Sequence, residues 1–408
     1  MKNKLLYIGT IVVIIFLLLI LFFWFKPKKA IEIQLHPVSY SNLPGWKDGN
    51  LLPSFKTFLA SCKVFLKLPP NKSVGSEFIN LSARDWFPAC QAAAQLNTPY
   101  SLNQVRTFFQ TWFKAVEFHD GRPVKGLFTG YYMSSLKGSL TPTKHFNVPI
   151  YGIPDDLVSV HLNDFDPAFK NKTIIGRVVK KHRFVPYHTR EEIDNGALKG
   201  KAPVIAWVDN KIDRLFLEIQ GSGVIELPDG SPLYVGYSAQ NGAPYTAIAG
   251  VLIKEGVMTR DNASMQRIKS YLESHPEKIR PVLNQNKSFV FFEVSKTSDA
   301  FGTLGIALTP GYSMAVDPKW VPLGTPVWLN TSRPMLKTDK NLPFRRLMIA
   351  EDTGGAIRGP VRGDVYWGAG EKATSIAGKM KNPGHYWILL PKKPQPAMDN
   401  YNPSQRTN

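Results

Sequence analysis

The chain has 408 residues, 43% of them hydrophobic and 20% charged, a balance that excludes a disordered, collagen-like or coiled-coil protein and leaves room for roughly two or three domains. Two cysteines exclude a disulfide-dense scaffold and a thiolate zinc site. Lys and Arg number 50 against 31 Asp and Glu, and the net charge of +19 suits nucleic acid, an anionic lipid surface or an acidic polymer as neighbour.

From Leu5 to Phe25 the chain runs for 21 residues without a charge. As a helix this run would span roughly 31 Å, one bilayer core. It ends in Phe22-Phe23-Trp24-Phe25 and then Lys-Pro-Lys-Lys, with no small-residue cleavage site, so an uncleaved transmembrane anchor is expected over residues 1–29. Lys2 and Lys4 precede the run and Lys26, Lys28 and Lys29 follow it, which leaves its orientation open. Residues 30–50, with Pro37 and Pro44, read as a stalk.

Three helices are expected next. Phe55, Phe58, Leu59, Cys62, Phe65 and Leu66 recur at helical spacing over 54–66, and a shorter helix lies around 86–96. Ser101 and Gln104 form a capping box for the third, whose stripe is Val105, Phe108, Phe109, Trp112 and Val116. Cys62 and Cys90 sit in the first two helices, either as small buried hydrophobes or as a disulfide. Closing that loop would contribute about 3–4 kcal/mol, and the export implied by an anchor favours the bond.

Beyond Lys125 the pattern changes to short β-like runs between Gly, Pro, Asn and Asp. Strands are expected at Val204–Val208, Leu215–Gln220, Ser288–Val294, Pro326–Leu329, Arg346–Ala350 and Tyr386–Leu390, the first two joined as a hairpin through Asp209–Asp213. Helices are expected at Tyr245–Glu255 and Ala263–Ser274, and residues 396–408 as a disordered tail.

HExxH, a Walker loop, GxGxxG and the GxSxG elbow are all missing from the sequence, and the histidines are scattered singly. Carboxylates are left as the acid–base chemistry. Asp317 (AVDP), Asp352 (EDTGGAI) and Asp364 (RGDVYWG) stand in Gly-rich settings, where backbone can turn tightly and approach closely.

Residues 302–391, with these three aspartates, resemble the 3D domain, a double-psi β-barrel module of bacterial cell-wall enzymes. GLFTGYY at Gly126–Tyr132, AWVDNKIDRLFLEIQGSG at Ala206–Gly223 and VGYSAQNG at Val235–Gly242 resemble the membrane-bound lytic murein transglycosylase A family. The resemblance implies a mainly β fold with N-terminal helices. A double-psi β-barrel would take residues 30–133 and 298–395, a second β-domain of residues 134–297 would be inserted in it, and a glycan groove would lie between them.

It further implies a lytic transglycosylase, which cuts the β-1,4 bond between N-acetylmuramic acid and N-acetylglucosamine in peptidoglycan. The sugar's own 6-hydroxyl is the nucleophile, so one carboxyl serves first as acid and then as base. By position that residue is Asp364, with Asp352 and Asp317 in support. Thr129, Tyr132, Gln220 and Ser222 match groove positions, and Tyr237, Trp367 and Tyr245 are further candidates for sugar contact. A proton donor needs a raised pKa, so neither Arg358 nor Arg362 is expected to contact Asp364.

The chain departs from the family at Met133–Ser134, where Glu-Pro is usual, and in carrying an apolar run where relatives are lipoproteins. A periplasmic body on the inner membrane is therefore expected, with peptidoglycan strands as partner, no cofactor or metal, and a monomer, since the groove needs one chain. Nucleic acid is not expected, because no recognition helix, zinc finger or RNP motif accompanies the charge. The alternative is a barrel protein that binds peptidoglycan without cutting it.

Overall fold

The computed structural model describes residues 33–392 apart from 170, 171, 261, 337 and 339. Strand β1 (Gln34–Val38) leads into helices α1 (Leu52–Phe65), α2 (Phe87–Ala94) and α3 (Leu102–Trp112). β2 (Phe113–His119), β3 (Gly126–Ser139), β4 (Val148–Tyr151), β5 (Val158–His161), β6 (Thr173–Val179) and β7 (Arg183–Pro186) follow. Then come α4 (Arg190–Asp194), β8 (Val204–Val208), α5 (Lys211–Gln220), β9 (Ser222–Glu226) and β10 (Pro232–Gln240). Helices α6 (Ile248–Lys254), α7 (Met265–Ser274) and α8 (Pro276–Leu283) precede β11 (Val290–Val294). The C-terminal part holds β12 (Ser313–Val316), β13 (Pro326–Pro334), β14 (Asn341–Thr353), β15 (Arg362–Ala369), α9 (Glu371–Ala377) and β16 (Lys381–Pro391).

The strand pairings return on themselves: β3 pairs β16, β16 pairs β13, and β14, β12 and β15 carry the ladder back to β3. β12 with β14 and β15 with β3 run parallel; the other neighbours are antiparallel. Phe128, Met314, Val327, Leu347, Val365 and Ile388 belong to its core and are fully buried. Each such side chain contributes roughly 1.5–3 kcal/mol against leaving it in water.

The three helices join the same core through aromatic rings, with Phe55 edge-on to Phe108 at 5.1 Å and Phe58 edge-on to Phe113 at 5.5 Å. Cys62 of α1 and Cys90 of α2 are disulfide-bonded across 5.2 Å between their Cα atoms.

β3 changes partner along its length. Up to Met133 it lies beside β15, and from Ser134 to Lys137 it lies beside β9. There it enters a second core built from Leu136, Val148, Ile150, Val208, Ile225 and Phe292. Helices α5 to α8 share a third, with Ile212, Leu215, Leu252, Leu272 and Val282 at its centre. β5, β6 and β7 form a separate antiparallel sheet.

Several expectations are corrected. Leu215–Gln220 is helix rather than strand, so Asp209–Asp213 is no hairpin turn. Asn210 caps α5, its side chain accepting the Asp213 amide at 2.7 Å, and left-handed Gly221 ends it. Ile212, Leu215 and Phe216 give the helix its buried face.

Val116 leaves the α3 stripe and sits on β2, because α3 stops at Trp112. From residue 33 onward the expected stalk is folded: β1 pairs with β2, and Leu43 and Trp46 are buried in the main core. β13, β14 and β16 are longer than expected, and α6 and α7 begin later, at Ile248 and Met265. The apolar run Leu5–Phe25 and the tail 396–408 lie outside the described residues, among which no helix is long and apolar enough to cross a membrane.

Candidate active site

Strand register brings two of the three aspartates into one row. Ala315 on β12 stands opposite Asp352 of β14 on one side and Asp364 of β15 on the other, and Asp364 in turn stands opposite Thr129 of β3. Directly opposed residues share a face, so Asp352, Ala315, Asp364 and Thr129 face the same way. Two strand spacings place the Cα atoms of the aspartates about 10 Å apart. The small side chain of Ala315 between them leaves the two carboxyls within electrostatic reach of each other. Glycine makes β15 fit its neighbours, since a Cβ on Gly363 would come within 2.6 Å of Met314 Sδ.

The two carboxyls are held very differently. Asp352 accepts hydrogen bonds from Tyr131 Oη at 2.7 Å, the Thr303 amide and hydroxyl at 3.0 Å each, and the Thr353 amide at 2.9 Å. Asp364 accepts the Thr129 hydroxyl at 2.7 Å. Burial pushes both pKa values up. At Asp364 the Arg362 charge and the Thr129 bond oppose that rise and the Asp352 charge adds to it. Arg362 reaches Thr129 Oγ1 at 2.9 Å and the carbonyls of Leu127 and Gly363, but among the described residues neither Arg358 nor Arg362 forms an ion pair with Asp364.

Asp317 lies apart from this row. It accepts the amides of Lys319 at 3.1 Å and Gly359 at 2.8 Å, and so ties the β14–β15 loop to the end of β12.

Alternation along β3 puts Thr129 and Tyr131 on the Asp364 face and Tyr132 on the other. Both tyrosines are buried; the Tyr132 hydroxyl meets Met265 Sδ at 3.3 Å, while Tyr131 packs on Tyr366 at 5.2 Å. Gln220 uses its Oε1 to accept the Tyr132 amide at 2.9 Å, and Ser222 is buried at the start of β9. Trp367 faces away from Asp364, against Phe344 and the guanidinium of Arg333. Tyr237 is half exposed on β10. Tyr245 is part-buried beside Gly355, close enough for the Asp364 charge to raise its pKa further beyond the effect of burial.

Tyr131 and Thr303, which hold Asp352, and Glu351 beside it are not among the residues that the sequence singles out. The two-residue step from Thr129 was a usable signal for Tyr131. Thr303 carried none, because its contact crosses 49 residues of chain.

Glu351, next to Asp352 but fully buried, accepts Ser61 Oγ of α1 at 2.7 Å and the Ser313 hydroxyl of β12. Burial pushes its pKa up from 4.5 to about 7 against those two bonds. A raised acid binds its proton more tightly folded than unfolded. Its contribution is therefore complete below about pH 4.5 and lost as pH rises through about 7, on the order of 3 kcal/mol in all. Glu351→Gln is expected to remove this dependence. Urea unfolding from pH 4.5 to 8 should show the wild type losing stability relative to the variant, and parallel curves would refute the assignment.

Among the described residues no group of three His, Cys, Asp or Glu could hold a metal ion. The arrangement offers two carboxyls whose pKa values burial raises, one with few partners beside a second that is saturated with donors.

Two family models match the chain: the MltA specific insert domain over residues 127–293 and the 3D domain over 312–390. A membrane-bound lytic murein transglycosylase A homolog of Buchnera aphidicola is 36% identical over 268 residues, and the Escherichia coli K12 protein is 34% identical over 269. Each match covers 64% of this chain and 65% of the relative's own length. Among solved structures, a membrane-bound lytic murein transglycosylase from Agrobacterium tumefaciens superposes with TM-score 0.76 at 29% identity over 88% of this chain and 98% of that one. Escherichia coli MltA with bound chitohexaose gives 0.62 at 25% identity over 88% and 94%. MltA from Neisseria gonorrhoeae gives 0.70 at 33% identity over 88% of this chain and 93% of that one, and on that likeness the chain belongs to the membrane-bound lytic murein transglycosylase A family.

Proposed function

We propose that this protein is a lytic transglycosylase that cuts the MurNAc-β-1,4-GlcNAc bond of peptidoglycan and leaves 1,6-anhydro-MurNAc ends. The observation that carries the proposal is the contrast between Asp364 and Asp352. Asp364 has a raised pKa and, among the described residues, one hydroxyl partner and no ion pair, so it can hold a proton for the leaving oxygen. Asp352 is committed to four donors and is poorly placed to activate water. A hydrolase would need that second carboxylate; an internal nucleophile does not.

In this mechanism Asp364 protonates the glycosidic oxygen and then, as carboxylate, takes the proton of the 6-hydroxyl as that oxygen closes on C1. Thr129 orients Asp364, and the Asp352 charge keeps the proton on it. The names of the relatives, lytic murein transglycosylases, and the chitohexaose held by the Escherichia coli protein support a β-1,4-linked amino-sugar polymer as substrate.

The closed cycle of six strands supports a double-psi β-barrel assembled from residues 30–133 and 298–395. The partner change of β3 after Met133 supports an inserted β-domain over 134–297. The groove between them would use Thr129 and Tyr245, with Tyr237 further out; Tyr132, Gln220, Ser222 and Trp367 would shape its walls from behind. The apolar run at residues 5–25 would hold a monomeric body in the periplasm at the inner membrane.

Mass spectrometry of muropeptides released from purified peptidoglycan tests the reaction. Products are expected about 18 Da lighter than hydrolysis yields, the mass of the water not taken up. Hydrolytic masses would overturn the single-carboxyl mechanism, and binding without release would identify a glycan-binding protein.

A further inference from the structure

The small sheet β5–β6–β7 presents one face made wholly of apolar residues. Register places Val160 opposite Ile174, Val158 and Pro186 opposite Gly176, and Phe184 opposite Val178, all on that face. Ile174 is 43% exposed, Val178 56% and Phe184 37%. The β5–β6 connection adds Phe165, 78% exposed, and Phe169 with the Lys172 ammonium over its ring at 5.5 Å. The other face is the one that meets the body, where a Cβ on Gly242 would touch Ile175.

An apolar face turned outward in this way marks an interaction surface. Its edge is basic. The β6–β7 turn carries Lys180, Lys181 and His182, and β7 opens on Arg183, all exposed, with Lys181 and His182 in the left-handed backbone region that Gly or Asn usually occupies.

We infer that the outer face of β5–β6–β7 is a second membrane contact, which dips its apolar side chains into the interface of an anionic phospholipid bilayer while the basic turn lies among the headgroups. An apolar centre with a Lys- and Arg-rich edge is the composition of interfacial binding. A sugar site needs polar side chains to fix hydroxyls, and this face has none. A second copy would bring two basic edges together.

Both cysteines are bonded to each other, so an introduced thiol is the only one available to label. The full chain carrying Val178→Cys with an environment-sensitive fluorophore would be reconstituted in vesicles of phosphatidylethanolamine and phosphatidylglycerol. Lys63→Cys, exposed on α1, serves as the reference. Blue-shifted emission at position 178, quenched by brominated acyl chains and lost in phosphatidylcholine or at high salt, is the expected result.

Removing Lys180, Lys181 and Arg183 as glutamines should shift the inserted equilibrium about fivefold per charge, or about a hundredfold together. Water-like emission in the anionic vesicles would overturn the inference, as would equal quenching at position 63. Quenching that follows only protein density would assign the face to a second copy, and a response only to added peptidoglycan fragments would assign it to glycan.

Discussion

Asp364→Asn is expected to lower the release of anhydro-muropeptides by at least about a thousandfold while leaving the fold intact. Asparagine keeps the shape and can still accept the Thr129 hydroxyl, but it neither gives nor takes a proton. Because one group is proposed to serve both steps, its loss removes the acid and the base together. Turnover on purified peptidoglycan, with thermal melting as the control for folding, measures the effect. Retained turnover in a folded variant would move the chemistry to another carboxyl.

The pH profile gives a second readout of the same assignment. In the proposed mechanism the reaction starts from protonated Asp364, so cleavage should fall as pH rises through its pKa, which burial and the Asp352 charge push up. Asp352→Asn removes the like charge and should move that alkaline limb to lower pH. A limb that stays in place would mean the two carboxyls do not interact.

Local signals in the sequence survived folding, and long-range ones had to wait for the register. The capping box at Ser101 and Gln104 is formed, with bonds of 3.2 and 2.7 Å, because a cap involves only one turn of chain. The segment 209–221 was misread although its own signals were present. Asn210 is a helix cap and Gly221 a helix stop, but the run LFLEIQ is apolar enough to pass for a buried strand. The aspartates could be chosen from their Gly-rich settings, yet their meeting across Ala315 depends on three strand registers that no local pattern encodes. Tyr132, expected at the groove from the resemblance, lies on the face of β3 opposite to Asp364, because the neighbouring ladders set the strand's phase. Glu351 escaped notice because an acidic residue inside a strand ordinarily points to water. Here Ser61 and Ser313 make its burial possible.

Arg190→Met is expected to destabilise the protein by about 3–5 kcal/mol. Arg190 is buried and donates to both oxygens of Glu218, at 3.1 and 2.5 Å, and to the carbonyls of Asn286 at 2.9 Å and Ser288 at 2.5 Å. Arg214, also buried, holds Asp194 at 2.5 Å and lies 3.4 Å from Glu218. Both guanidiniums stack near the ring of Phe289. Methionine would fill the space, leave two carbonyls without their donor and leave the buried Glu218 carboxylate with only Arg214, 3.4 Å away.

The consequence reaches the site through two short paths. Glu218 lies on the helix whose last residue, Gln220, grips the Tyr132 amide, and Asn286 accepts the Thr246 amide at 3.0 Å beside Tyr245. Adding Glu218→Gln to Arg190→Met should recover part of the loss, because the buried carboxylate that lost Arg190 is then neutral while Arg214 and Lys211 still hold Asp194. Urea denaturation of the two variants decides the matter: a single-variant cost below about 1 kcal/mol, or no recovery in the double variant, would mean that the network is not what holds α5 to α4 and to residues 286–288.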